Sequence, residues 1–126
     1  MTFRKTLLSL ATAALMVPAV ANAGDTAPAS NDFVVKSSTD AMIKLSVKAF
    51  NNGEYERSIA YSQRALDSGL SKSRKAVAQN NLCAANAVLG QMDEAAEACN
   101  AALELRPEFE PAQTNKAALT VLLAQN

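Results

Sequence analysis

Histidine and tryptophan are absent from this 126-residue chain, and aromatic residues make up only 5% of it. Without histidine the commonest general base and the commonest neutral metal ligand are both missing, which excludes Ser-His-Asp and Cys-His catalysis and most zinc chemistry. An excess of positive charge is lacking too, because 12 Lys and Arg are balanced by 12 Asp and Glu. Neutralising phosphates takes clustered Lys and Arg, so nucleic acid is not an expected partner. No paired carboxylates, Gly-rich phosphate loop or metal-ligand spacing stands out. The expectation is therefore a non-enzymatic protein with no cofactor and no metal, and the length allows one domain at most.

What the chain does have begins with an export segment. Arg4 and Lys5 precede an uncharged run from Thr6 to Val20, followed by Ala21-Asn22-Ala23. A basic start, an apolar run shorter than the roughly 20 residues of a membrane span, and small residues at an A-x-A end describe a secretory signal peptide, residues 1–23, cut after Ala23. Pro18 helps to end the signal helix. Cleavage removes Arg4 and Lys5 and no acidic residue, leaving acidic residues in small excess. No second stretch is apolar enough to cross a bilayer, so no membrane insertion is expected afterwards, and the destination is the periplasm or the outside of the cell.

Residues 24–40 read as a flexible N-terminal arm rich in Ser, Thr, Asp and Pro, a composition that buries little. Its apolar triplet Phe33-Val34-Val35 either docks on the domain as a short extended piece or simply sits in a tail. From Asp40 onward the pattern is helical, with Met42, Leu45 and Ala49 on one face and Ser38-Thr39-Asp40 supplying N-cap oxygens. That helix should stop at Asn51-Asn52-Gly53, and a second should run from about Tyr55 to Asp67 with Ile59, Ser62, Ala65 and Leu66 inward. So short a connection makes the two antiparallel neighbours.

Sliding the chain by 37 residues superposes Leu45 on Leu82, Ser46 on Cys83, Gly53 on Gly90, Ser58 on Ala95, Ser62 on Cys99, Ala65 on Ala102 and Leu66 on Leu103. Large falls on large and small on small, which is the grammar of a helix-turn-helix repeat. The second unit, with Asn81-Leu82-Cys83-Ala84-Ala85, Gly90-Gln91-Met92-Asp93-Glu94-Ala95 and Ala101-Ala102-Leu103 closing on Pro107, closely resembles a tetratricopeptide repeat. The first unit resembles it less, with Ser58 for the expected Ala and no closing Pro. A repeat spacing of 37 against about 34 puts three extra residues in the Ser68 to Lys75 connection.

The resemblance implies an all-α fold, a short right-handed helical solenoid of two repeats, about 41–70 and 76–109, plus a capping helix at about 110–124. It covers a domain of residues 41–124. Two repeats and a cap are short for a stack, which makes self-association or a covalent link plausible. Cys83 and Cys99 occupy places that resemble facing positions of this family's helix pair. They are expected either as a disulfide, favoured in an oxidising compartment, or as two reduced buried residues acting like Ala.

Family members of this kind bind peptides or proteins along a concave surface, which here would include Ile43, Val47, Phe50, Asn80, Ala84, Ala87, Val88, Thr114 and Val121. The groove reads as apolar apart from Asn80 and Asn81, and it lacks the Lys and Arg of members that grip a terminal carboxylate. Its apolar residues are available to a protein or peptide partner, to the arm, or to a second copy in a homodimer. Tyr55 and Tyr61 read as packing residues with a polar tip. Lys72-Ser73-Arg74-Lys75 reads as a solvated connection, and Asp93, Glu94 and Glu97 as the acidic start of a helix.

Overall fold

The computed structural model describes residues 30–125, so the expected signal segment and the arm residues 24–29 lie outside the described residues. After a single 3-10 turn at Ser30–Asp32 and an extended stretch come helices α1 (Ala41–Asn51), α2 (Tyr55–Asp67), α3 (Lys72–Val88), α4 (Met92–Leu105) and α5 (Glu110–Ala124). The fold is all-α. Each helix packs on the next, and α1 also touches α3 as α3 touches α5, so the odd-numbered helices lie side by side.

Local chemistry sets the boundaries. Asp40, in extended backbone, caps α1 by accepting the Met42 and Ile43 N–H groups on Oδ1 at 2.9 and 3.1 Å, satisfying donors that a helix start leaves unpaired. The α1–α2 and α3–α4 turns are the same object. Gly53 has φ 77° and Gly90 φ 76°, the left-handed conformation that only glycine adopts without strain. In the first turn Gly53 N–H donates to Phe50 O at 3.0 Å and Glu54 N–H to Ala49 O at 2.9 Å; in the second, Gly90 donates to Ala87 O and Gln91 to Asn86 O at the same distances. Every one of these partners moves by 37 residues, so the internal repeat read from side chains is also a repeat of backbone hydrogen bonds.

Two expectations need correction. α3 begins at Lys72, so the extra residues of the first interval lengthen a helix of 17 residues and do not loosen the Ser68 to Lys75 connection. Lys72, Arg74 and Lys75 accordingly sit in the first turn of α3, where Arg74 Nη2 donates to Thr39 Oγ1 at 2.9 Å. On α1 the inward residues are Ile43, Ser46, Ala49 and Phe50, while Leu45 is 37% exposed against 7% for its counterpart Leu82. Leu82 is covered because α2 packs against α3; among the described residues no helix precedes α1 to cover Leu45 in the same way.

The central helix carries the core. α3 is buried without interruption from Asn80 to Val88, the all-round burial expected of a helix enclosed by neighbours. Two apolar clusters flank it: one joins Phe33, Phe50, Leu82, Val88 and Leu119, the other Ile43, Leu70, Val77 and Phe109. Between helices, each unit has its own tie. In the first, Ser46 Oγ is hydrogen-bonded to Ser62 Oγ at 2.7 Å and to Ser58 Oγ at 3.3 Å, all three buried. In the second, Cys83 and Cys99 form a disulfide with Cα atoms 5.1 Å apart, a normal span for such a bond.

Candidate functional site: an asparagine-lined groove

The segment expected as a flexible arm is ordered from Phe33 onward and lies extended along the side formed by α3 and α5. Its composition is polar, but one side chain supplies the anchor: Phe33 is only 4% exposed and joins the cluster containing Phe50 and Leu119, with Val35 packed against the same cluster. Phe50 in turn meets Tyr55 edge-on, ring centroids 5.2 Å apart, a favoured aromatic geometry.

Three buried asparagines hold the backbone. Val34 N–H donates to Asn115 Oδ1 at 2.7 Å, and Asn115 Nδ2 returns a bond to Val34 O at 2.8 Å, where Asn80 Nδ2 also donates at 2.9 Å. Two residues on, Lys36 N–H donates to Asn81 Oδ1 at 2.8 Å and Asn81 Nδ2 donates to Lys36 O at 2.9 Å. The asparagines are braced together, Asn115 Nδ2 donating to Asn80 Oδ1 at 2.8 Å and Asn80 Nδ2 to Asn81 Oδ1 at 3.3 Å. In extended backbone, residues 34 and 36 present their N–H and C=O on one edge while side chains 33 and 35 share a face. A carboxamide carries a donor and an acceptor side by side, so Asn115 and Asn81 pair with that edge much as a neighbouring strand would. Among the described residues no buried side-chain nitrogen or oxygen is left without a hydrogen bond.

The energetics are close to balanced. Burying Phe33 and part of Val35 contributes about 3 kcal/mol, and five hydrogen bonds at about 1 kcal/mol each add about 5. Fixing the backbone of residues 33–36 opposes this by roughly 6 kcal/mol. The docked strand is favoured by about 2 kcal/mol, a margin far below the stability of a folded domain.

Of the residues expected on the concave surface, Phe50, Asn80, Ala84, Ala87 and Val88 are buried around this site. Ile43 is buried in the other cluster, and Val47 is half-buried. Thr114 is exposed and Val121 is 57% exposed, and the cluster and hydrogen bonds around the strand include Asn115 and Leu119 in their stead. The interval from Asn80 to Asn115 is 35 residues. The groove is also more polar than its apolar neighbours suggested, the expectation having met Asn80 and Asn81 without the third amide that joins them.

Among the described residues no group of three or more His, Cys, Asp or Glu is placed to hold a metal, and no helix is long and apolar enough to cross a membrane. None of the side chains that hydrogen-bond the strand is charged. The one ion pair among the described residues, Glu54 with Arg57, lies on the exposed surface, where the hydrogen bond lowers the Glu54 pKa and raises that of Arg57. Comparison of the chain with protein-family models, with curated proteins and with solved structures returns no match.

Proposed function

We propose that this chain is a non-enzymatic protein-interaction module of the tetratricopeptide type, exported to the cell envelope or beyond, that holds an extended peptide or protein segment in the α3–α5 groove. The observation that carries this reading is the bidentate grip of Asn81 and Asn115 on extended backbone. Such a grip recognises main chain, which every peptide offers, and leaves selectivity to the pockets between. The internal repeat with its twin glycine turns supports the family assignment. A disulfide within the domain and the signal-like segment at residues 1–23 support a periplasmic or secreted location.

The test is a peptide-display selection with the full chain as bait, repeated with Asn81→Ala and Asn115→Ala. Enrichment of peptides sharing an apolar pattern, lost in both variants, is the expected result. Enrichment indifferent to both substitutions, or none, overturns the reading. A second reading, a structural homo-oligomer, is favoured by one observation: on α5, Val121 is 57% and Leu123 48% exposed, apolar area of a kind that association would cover. Light scattering on the full chain decides it, because a monomer at high concentration leaves that reading without support.

A further inference from the structure

Resting on that reading, we infer that residues 33–36 are a built-in competitor for the groove, and that the partner is an extended protein segment carrying an aromatic side chain followed two residues later by an aliphatic one. The strand's sequence, Phe33-Val34-Val35-Lys36, shows what the groove accepts. The first and third side chains are taken into the apolar cluster, whereas Val34 and Lys36 are exposed and contribute their main chain. Every contact of the grip is made to backbone or to these two apolar side chains, so nothing in it requires that the segment come from this chain. None of the side chains that hydrogen-bond residues 33–36 is charged, so a segment held along its main chain is suited and a terminal carboxylate is not.

The means of exchange is also on the page. The strand is joined to α1 through Ser37-Ser38-Thr39, and the start of α1 is capped by Asp40, so the cap does not depend on the strand. Released, the three amides meet water, and Asn80 and Asn115 retain their mutual hydrogen bond.

The experiment uses the full chain and, as probe, a fluorescein-labelled octapeptide of residues 31–38, Asn-Asp-Phe-Val-Val-Lys-Ser-Ser. Anisotropy titrations compare the unaltered chain with the double variant Phe33→Asp, Val35→Asp, whose own strand can no longer dock. The apparent affinity of a site open only part of the time is reduced by that fraction, so the variant is expected to bind the peptide about tenfold or more tightly than the unaltered chain, and adding Asn81→Ala should remove that binding. Equal affinity for both proteins overturns the competitor inference while leaving peptide binding by the groove intact. No binding by the variant, with its helical circular dichroism and disulfide retained, overturns both. If the double variant loses its helicity, Val34→Pro, which removes the N–H donated to Asn115 and restricts the Phe33 backbone, serves in the same comparison with a smaller expected gain and otherwise the same outcomes.

Discussion

The two helix-turn-helix units share a backbone and differ in what ties their helices together. At the same place between paired helices the first unit has the buried Ser46 hydroxyl bonded to those of Ser58 and Ser62, the second a disulfide beside Ala95. Both arrangements fill the position with small side chains that let the helices approach. The difference teaches that helix register comes from size and from the glycine turns, and that the tie is an addition whose chemistry is free to vary. The covalent tie also belongs to the unit whose first helix bears Asn80 and Asn81. Their counterparts 37 residues earlier are Ile43, which is buried in the core, and exposed Lys44, so only the second unit has a groove to keep in shape.

The largest effect should come from the covalent tie. Replacing both cysteines, C83A with C99A, is expected to lower the unfolding free energy by about 3 kcal/mol, as removing a cross-link around a loop of about 16 residues does; urea titrations of the variant and of the reduced parent should agree. The converse exchange sharpens the comparison. S46C with S62C is expected to form a second disulfide on air oxidation, detectable by mass spectrometry as the loss of two hydrogens, and to stabilise by about 2 kcal/mol, less than the native bond because introduced ones usually deliver less.

Smaller effects follow from the serines and glycines. Ser46→Ala leaves two buried hydroxyls short of a partner and should destabilise by about 1–2 kcal/mol, while replacing Ser46, Ser58 and Ser62 together by Ala should cost less than that single change, since no polar group is left unpaired. Gly53→Ala and Gly90→Ala should each cost about 1 kcal/mol, and the same within error, because an added Cβ meets nothing within 4 Å at either turn and only the backbone conformation matters. Unequal values in denaturant titrations would break the claim that the two turns are one object.

Much of this was legible in the sequence, and the reasons for the rest are physical. Glycine turns, the small-residue register and the cysteine pair announce themselves because each depends on local geometry or on a fixed interval. Leu45 was misread because its exposure depends on which element packs beside its helix, and among the described residues no helix precedes α1 to cover it as α2 covers Leu82. Asn115 was missed because its role depends on an interval of 35 residues through the α4–α5 connection. The arm's docking was open, since a Ser- and Asp-rich segment with one apolar triplet gives no sign that asparagines on two distant helices will pair with its backbone.

The central claim, that side-chain amides hold an extended strand by its edge, is tested most directly by amide hydrogen exchange on the oxidised full chain, followed by nuclear magnetic resonance. Val34 and Lys36 are expected to be protected while Val35 and Ser37 exchange freely, with Asn81→Ala removing the protection of Lys36 before that of Val34. Uniformly rapid exchange from residue 33 to 37, with the helices still protected, would contradict the account.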